Sequence, residues 1–325
     1  MEDDSDSPPA AVRTAGLKKT YPASGPRPAV EAVRGIDLDV PRGEFFGLLG
    51  PNGAGKSTTI GMLTTLVVPT AGTAQICGLD VTRDSVEIKR RIGVVSQNNT
   101  LDGDLTVAEN LEFRGRYFGL GARDARRRAD ELLELFGLTE QRGGSPFEIS
   151  GGQAKRVMIC RALVHGPEVL FLDEPTAGLD PQTRRNLWDV LRDLQAGGQT
   201  IVLTTHYMEE AEALCDRIAI VDHGAILASG TVDELKSSAG ADTVITVSYD
   251  GDVPEKVKAL ADREGIGKVE INGGQVRVFA ADPEGILGEL VSIGAGAGVG
   301  VTDATQLRPS LETVFLTLTG REYRE

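Results

Sequence analysis

A glycine-rich segment that ends in a lysine and two hydroxyl residues stands directly after an apolar run. It reads Gly50-Pro51-Asn52-Gly53-Ala54-Gly55-Lys56-Ser57-Thr58, and its first eight residues fit the pattern G-x-x-x-x-G-K-[ST]. Glycines allow backbone N–H groups to turn onto phosphate oxygens, Lys56 adds a positive charge, and Ser57 offers a hydroxyl to Mg²⁺. The segment therefore predicts a phosphate-binding loop at the start of a helix.

Two adjacent carboxylates, Asp173 and Glu174, follow a second apolar run, Val169 to Leu172. Ligand sites of parallel α/β sheets lie at the carboxyl ends of the strands, where these side chains would stand. Asp173 suits Mg²⁺, directly or through water, and Glu174 suits a general base for water. The alternative interpretation is two solvated acids in a turn before Pro175.

A third motif, Ile149-Ser150-Gly151-Gly152-Gln153, stands about twenty residues before Asp173. Ser150 and Gln153 fit a capping box, and the two glycines leave the helix N-terminus open to an anion. Taken alone, this is a glycine-rich helix start. P-loop kinases, GTPases and recombinases share the first two motifs, so the third motif discriminates among these classes.

The elements that must position these motifs alternate between strands and helices. Near-continuous apolar strands are predicted at five places, and helical patterns separate them, which is typical of a parallel sheet covered by helices on both faces. Thr106 with Glu109 predicts a capping box, and Asp180 before Pro181 predicts an N-cap. The predicted strands are Glu44 to Leu49, Ile92 to Val95, Val169 to Leu172, Thr200 to Thr204 and Ile218 to Val221.

Composition and charge exclude several classes of protein. The chain has 325 residues, with 34 Lys and Arg against 48 Asp and Glu, a net charge of −14. This acidity argues against a broad nucleic-acid surface, and no apolar run reaches the ~18 residues of a membrane span. The acidic start predicts a solvated tail over residues 1–12 rather than a signal peptide. The three cysteines Cys77, Cys160 and Cys215 are too scattered for a zinc site, and we expect buried thiols in a reducing compartment.

The last third of the chain changes to shorter units after a predicted linker, Ser237 to Ala241. The pattern over residues 241–325 predicts the order β-α-β-β-α-β and a final helix capped by Ser310, that is, a small α+β domain. The predicted strands are Thr243 to Ser248, Lys268 to Ile271, Gln275 to Val278 and Gly298 to Asp303, and the helices are Pro254 to Ala261, Pro283 to Ser292 and Leu311 to Leu318. No motif there suggests catalysis, so we expect an accessory role in dimer contact or regulation.

Along the chain the motifs stand in the order P-loop, Ile149 to Gln153, and Asp173 with Glu174. In that order they resemble the motifs of the ATP-binding subunits of ABC transporters, and the resemblance spans residues 13–238. It implies an α/β P-loop NTPase cassette: a RecA-like parallel core, an antiparallel β subdomain and a helical subdomain over 98–165. It also implies ATP and Mg²⁺ as ligands and a head-to-tail homodimer. In such a dimer, Ser150, Gly151, Gly152 and Gln153 would face the γ-phosphate held by the partner copy.

Four further positions match the family pattern, and the resemblance implies a role for each. Tyr21 would stack on adenine, and Gln97 would join the Mg²⁺ site to the helical subdomain. Asp180 would lie in the loop that crosses the dimer interface, and His206 would contact the γ-phosphate. The implied catalytic set is Glu174, His206 and Gln97, and the implied Mg²⁺ set is Ser57, Gln97 and Asp173.

The segments 96–111, 116–119 and 311–322 resemble ATPases of the nodulation-factor and daunorubicin exporter type. This resemblance implies efflux of a drug-like or lipophilic substrate through a separately encoded permease, at the cytoplasmic face of a bacterial inner membrane, with no nucleic-acid partner. Segment 98–149 would meet the permease, with Tyr117 and Phe118 as contact candidates, although both rings could instead belong to the core. The alternatives are an importer ATPase and a soluble, non-transport ABC ATPase.

Overall fold

The computed structural model describes residues 10–23, 28–238, 243–263, 265–280, 282–307 and 310–319. They form two compact units that divide between Ser229 and Gly230. Among the described helices, none is long and apolar enough to cross a membrane.

The first unit starts with strands and then becomes helical. It contains β1 (Val12–Tyr21), β2 (Val30–Val40), β3 (Phe45–Leu49), α1 (Lys56–Leu63), β4 (Ala71–Ile76), β5 (Leu79–Asp80), α2 (Ser85–Arg91) and β6 (Ile92–Val95). Next come α3 (Val107–Tyr117), α4 (Ala122–Leu135), a 3-10 turn (Thr139–Gln141) and α5 (Gly151–Leu163). The unit ends with β7 (Val169–Asp173), α6 (Pro181–Ala196), β8 (Thr200–Thr205), α7 (Met208–Leu214), β9 (Arg217–Asp222) and β10 (Ala225–Gly230).

A six-stranded sheet in the order β10-β9-β3-β8-β7-β6 forms the centre of this unit. β3 pairs in parallel with β8 and β9, and β7 pairs in parallel with β6 and β8. Every residue of β3 and β8 is buried, which explains the continuous apolar sequence of β3 and the apolar centre of β8, Ile201 to Leu203. The predicted parallel core is confirmed, and its five predicted strands lie within one residue of the observed bounds at each end.

An antiparallel sheet in the order β2-β1-β4-β5 accompanies the parallel one. Its first strand corrects the predicted tail of residues 1–12, which is too long. Residues 1–9 lie outside the described part of the chain, but Ala11 is buried and Val12 pairs with both Val40 and Ile76. The reason is physical, because these apolar side chains lose their contact with water when the sheet forms.

Three helices, α3, α4 and α5, pack against one another in the region predicted as the helical subdomain. Both predicted capping boxes are present. The Thr106 side chain accepts a hydrogen bond from the Glu109 N–H at 3.2 Å, and the Ser150 side chain accepts one from the Gln153 N–H at 3.3 Å. All three cysteines are free and buried, as expected.

The second unit contains α8 (Val232–Ser238), β11 (Thr243–Tyr249), a 3-10 helix (Glu255–Asp262), β12 (Ile266–Asn272), β13 (Gln275–Ala280), α9 (Ile286–Gly296), β14 (Val301–Leu307) and α10 (Leu311–Thr319). Its antiparallel sheet has the order β12-β13-β11-β14. The division lies before α8 rather than after it, because α8 packs against α10. Of the predicted linker, Ser237 and Ser238 end α8, and 239–241 lie outside the described residues.

Three predictions in this unit need adjustment. The helix predicted over Pro283 to Ser292 is observed at Ile286–Gly296, three to four residues later. The first predicted helix is a 3-10 helix, and the last strand begins at Val301, three residues later than predicted. Gly298 adopts φ +76° and its N–H donates to the carbonyl of Ala295, so this glycine closes α9 instead of opening the strand. Ser310 caps α10 as predicted, accepting from the Thr313 N–H at 3.3 Å.

Candidate functional site

The glycine-rich loop joins β3 to α1 and wraps around one lysine. Gly55 precedes α1 with φ +103°, and a Cβ atom there would lie 2.4 Å from the carbonyl oxygen of Ala32, so only glycine fits. The Lys56 side chain is 4% exposed, and its ammonium donates to the carbonyls of Gly50 at 2.7 Å and Pro51 at 3.1 Å. The loop therefore holds a buried positive charge at the N-terminus of a helix.

Asp173 ends β7 beside this loop. Its Oδ1 accepts hydrogen bonds from the hydroxyl of Ser57 at 3.1 Å and from the hydroxyl of Thr204 at 2.5 Å. A carboxylate and a hydroxyl that converge in this way fit Mg²⁺, which binds one or two carboxylates and completes its shell with substrate phosphates and water. Among the described residues no group of three or more His, Cys, Asp or Glu is placed to hold a metal ion.

Glu174 is the centre of the constellation that the sequence predicted. Its backbone adopts φ +46°, and its N–H donates to the carbonyl and the hydroxyl of Thr204, both at 3.1 Å. Its side chain lies 3.4 Å from the Lys56 ammonium, 3.3 Å from the Gln97 amide nitrogen and 3.3 Å from Nδ1 of His206. The structure thus brings the three predicted catalytic side chains together.

Burial and charge oppose each other at Lys56. Burial lowers the pKa of Lys56, and the neighbouring carboxylate of Glu174 acts in the opposite direction. The carboxylate therefore helps the ammonium to remain charged.

A pocket of about 590 Å³ opens over the loop. Residues 52–58 of the loop line it with Gln97 and Glu174, and Tyr21 stands at the end of β1 with its ring 40% exposed. The Lys19 ammonium lies 5.1 Å from the centre of that ring. A flat aromatic face beside a phosphate loop can stack on a base.

Sequence analysis missed several lining residues of this pocket, namely Glu31, Arg34 and His223. Glu31 and Arg34 lie on β2, and His223 forms the turn between β9 and β10 with φ +47°. A turn can be predicted from Asp222-His223-Gly224, but no spacing in the sequence connects it to the loop.

The third motif lies elsewhere on the unit. Ser150, Gly151 and Gly152 begin α5, and Gln153 accepts the N–H of Ser150 at 2.8 Å through Oε1. Asp180 caps α6, accepting the Thr183 N–H at 3.0 Å. The Thr183 hydroxyl and then this N–H lower the pKa of Asp180. Neither the third motif nor Asp180 lines the pocket of its own chain.

A buried lysine that sequence analysis missed connects α5 to Gln97. The Lys155 ammonium donates to the carbonyls of Ser96 at 3.1 Å and Gln97 at 2.7 Å. Burial lowers the pKa of Lys155, and Asp173 and Glu174 oppose that effect. Two residues after Gln153 on a helix, such a lysine is expected at the surface, so only the fold reveals its role.

Comparison with known proteins agrees with this geometry. A family model described as ABC transporter matches residues 33–177, and a model of an AAA domain (putative AbiEii toxin, type IV toxin–antitoxin system) matches residues 154–210. A daunorubicin resistance ATP-binding protein of Streptomyces coeruleorubidus is 41% identical over 97% of each chain. A Nod factor export ATP-binding protein of Ralstonia nicotianae is 42% identical over 95% of this chain and 94% of its own. A linearmycin resistance ATP-binding protein of Bacillus subtilis is 39% identical over 90% of this chain and 95% of its own.

Solved structures agree as well. A dimeric post-hydrolysis state of an ATP-binding cassette bound to ADP and Pi has a TM-score of 0.63 and 30% identity, and it covers 68% of this chain and 98% of its own. Along the chain the P-loop comes first, the motif at 149–153 second, and the carboxylates of Asp173 and Glu174 third. The chain belongs to the ABC transporter family as an ATP-binding subunit, and it is an ATPase.

Proposed function

We propose that two copies of this chain bind ATP between them and that hydrolysis drives an exporter. The observation that supports the dimer is the division of the site. The pocket contains the P-loop, Gln97 and Glu174, whereas Ser150, Gly151 and Gly152 present an anion-binding helix end outside it. A second copy placed head to tail would supply that helix end and the Asp180 loop, and the related solved cassette is dimeric.

Within each pocket, the loop from Gly50 to Thr58 would hold the phosphates through N–H groups of residues 52–58, which line the pocket, while Gly50 and Pro51 shape the loop. The Lys56 ammonium would leave its carbonyl partners for phosphate oxygen. Tyr21 would stack on the adenine. Ser57, Asp173 and Gln97 would hold Mg²⁺. When bound, the ion neutralises charge on the transferring phosphoryl group.

Glu174 is the best placed base for hydrolysis. Its carboxylate would take a proton from the water that attacks the γ-phosphorus, while Gln97 and His206, each 3.3 Å from that carboxylate, orient the water and the γ-phosphate. Loss of the γ-phosphate removes contacts that ATP makes with both copies. The dimer would then open, because only the ATP state gains those differential contacts.

A groove on the helical side of the unit fits the permease. It has a volume of about 810 Å³, and its rim exposes apolar and basic side chains, chiefly Leu66, Val86 and Tyr117 with Lys89, Arg90 and Arg114. Tyr117 is 72% exposed, whereas the Phe118 ring stacks on His165 at 4.0 Å. Of the two rings predicted to meet the permease, we therefore assign Tyr117 the contact and Phe118 a supporting role.

The names of the relatives support export. They refer to resistance to daunorubicin and linearmycin and to export of Nod factor, so we propose efflux of a drug-like or lipophilic substrate. The chain would work at the cytoplasmic face of a bacterial inner membrane, attached through its permease.

Replacement of Glu174 by Gln tests the catalytic proposal. The amide keeps the size of the side chain but cannot take the proton, so we expect the ATPase rate to fall by about 100-fold or more and an ATP-bound dimer to accumulate in size-exclusion chromatography. The matched control is Glu148→Gln, an exposed carboxylate outside the pocket. An unchanged rate for Glu174→Gln would contradict the proposal, whatever happens to dimerisation.

Co-purification tests the groove. Tyr117→Ala should lower recovery of the proposed permease subunit, because it removes an exposed ring from the groove. Ile271→Ala is the control, since that side chain is 40% exposed, lies outside segment 98–149 and does not line the groove. Equal recovery with both variants would exclude the groove as the contact.

A further inference from the structure

A carboxylate that the catalytic proposal does not use lies beneath the His206 turn. Glu210, on α7, is 0% exposed. Its Oε1 accepts a hydrogen bond from the indole N–H of Trp188 on α6 at 3.1 Å. Glu210 therefore joins α7 to the helix that follows Asp180.

Two buried hydroxyls, of Thr205 and Thr176, lie near this carboxylate, although Oε2 of Glu210 and Oγ1 of Thr176 form no hydrogen bond among the described residues. Burial raises the pKa of Glu210, and the two threonine hydroxyls, the Trp188 indole and the charge of Arg184 lower it. Thr205 immediately precedes His206, and Thr176 lies between Glu174 and Asp180. Segments from three parts of the proposed site thus meet at one side chain.

Thr205 passes the contact on to the backbone that bears His206. Its Oγ1 accepts the N–H of Tyr207 at 2.9 Å, and its carbonyl accepts the N–H of Gly50 at 3.2 Å. Since a hydroxyl that accepts one hydrogen bond can still donate its proton, Thr205 can link Glu210 to the Tyr207 amide. The two observed bonds to Thr205 hold the backbone next to His206.

A second contact from α6 reaches the same turn. The Arg184 guanidinium lies 4.3 Å from the centre of the Tyr207 ring, and that ring lies 4.1 Å from the His206 ring. The backbone N–H of Arg184 donates to the carbonyl of Asp180 at 3.0 Å, as part of the first turn of α6. Arg184 and Trp188 are four residues apart on α6 and share one face of the helix, so this face contacts the His206 turn at two points.

Burying a carboxylate costs more than burying an amide or an apolar side chain of the same size. The free energy of folding therefore does not explain a carboxylate at this position, whereas its bond to Trp188 holds α7 against α6. We propose that Glu210 is a positioning residue for ATP hydrolysis: it fixes the His206 turn to α6, so that His206 and the Asp180 loop move as one body. This inference rests on the role proposed for His206.

The chain contains its own reporter, because Trp188 is its one tryptophan. In a Glu174→Gln background, addition of Mg-ATP should change the Trp188 fluorescence when Glu210 is present. With Glu210→Met in the same background, which leaves no oxygen to accept the indole N–H, ATP should bind but the emission should not change. An equal change in both chains would overturn the proposal.

Steady-state kinetics form the second arm, in chains that retain Glu174. For Glu210→Gln we expect kcat to fall by about 10-fold to 100-fold and the KM for ATP to stay within about threefold, because the reacting groups are displaced while the pocket remains. Glu209→Gln, the exposed neighbour on α7, is the matched control and should keep wild-type kcat. A kcat for Glu210→Gln within twofold of wild type would overturn the proposal.

Thr205→Val tests the same link from its other end and covers the case in which Glu210→Gln folds poorly. It should reproduce the loss of kcat, and the double variant should lose no more than either single one. Additive losses would overturn the link. His206→Ala separates the two proposals: wild-type kcat there would refute the role of His206 and this inference with it. A loss with His206→Ala but not with Glu210→Gln would refute only the inference.

Discussion

Gly152, the second glycine of the third motif, allows two helices of the same chain to approach each other. A Cβ atom at Gly152 would lie 2.2 Å from Cγ2 of Thr183, on the first turn of α6. Carbon atoms pack at about 3.5 to 4.0 Å, so Gly152→Ala would require a displacement of about 1.3 Å or more. Thr183 is branched at Cβ and its rotamer is restricted in a helix, so α5 and α6 must separate.

Overpacking of this size lowers the free energy of unfolding by about 1 to 3 kcal/mol. The higher helix propensity of alanine raises it by up to about 1 kcal/mol. We expect Gly152→Ala to lower the free energy of unfolding by about 1 to 2 kcal/mol in urea denaturation. In a Thr183→Ser background, which lacks Cγ2, the same substitution should be neutral or stabilising. The coupling free energy between the two positions measures the clash directly.

Gly151→Ala is the matched control, because a Cβ atom at Gly151 meets nothing within 4 Å. It should leave stability unchanged or raise it by up to about 1 kcal/mol through helix propensity. It should lower ATPase activity if this glycine faces the partner's ATP. The reasoning is refuted if Gly151→Ala and Gly152→Ala change the unfolding free energy equally, or if Thr183→Ser gives no relief. ATPase assays of the same four chains show whether relief of the clash also restores activity.

Three further predictions concern stability and the Gln97 turn. Burial lowers the pKa of His165 to about 4 from 6.5, so the unfolded chain takes up a proton first as the pH falls. The contribution of neutral His165 to the free energy of unfolding should be complete above about pH 6.5. It should fall by about 1 to 2 kcal/mol towards pH 4, a value that allows for the partial exposure of the ring. Urea unfolding at pH 7 and pH 5 should show this loss, and His165→Gln should remove it. Thr106→Ala should cost about 1 kcal/mol in the same assay, because it removes the capping box of α3; no change would mean that the cap contributes nothing. Lys155→Met should lower kcat by about 10-fold, because the Ser96 and Gln97 carbonyls lose their donor. Arg156→Met is its control, since Arg156 donates to Phe136 in the helical region, and equal losses in both would contradict a specific role for Lys155.

The bounds of some strands could be predicted from the sequence, and those of others could not. The strands around the P-loop and Asp173 could be placed within a residue, because a parallel strand buried on both faces must be apolar along its whole length. The last strand of the second unit was misplaced by three residues, because glycines such as Gly298 can end a helix or start a strand. The predicted tail was too long because a short apolar pair, Ala11 and Val12, gives no periodic signal.

The sequence by itself determined which chemical groups are present and their order along the chain. The P-loop, Asp173 with Glu174, and the capped glycines at 150–153 are local patterns, and local patterns depend on neighbours in the chain. Only the tertiary structure decided which groups meet. Glu174 contacts Lys56, Gln97 and His206 across three loops of the chain. Lys155 and Glu210 resemble surface residues until the fold buries them beside the site. The physical reason is that contacts between distant residues form only when strands and helices pack. The apolar pattern of a sequence indicates which residues are buried, but it does not indicate which of them touch.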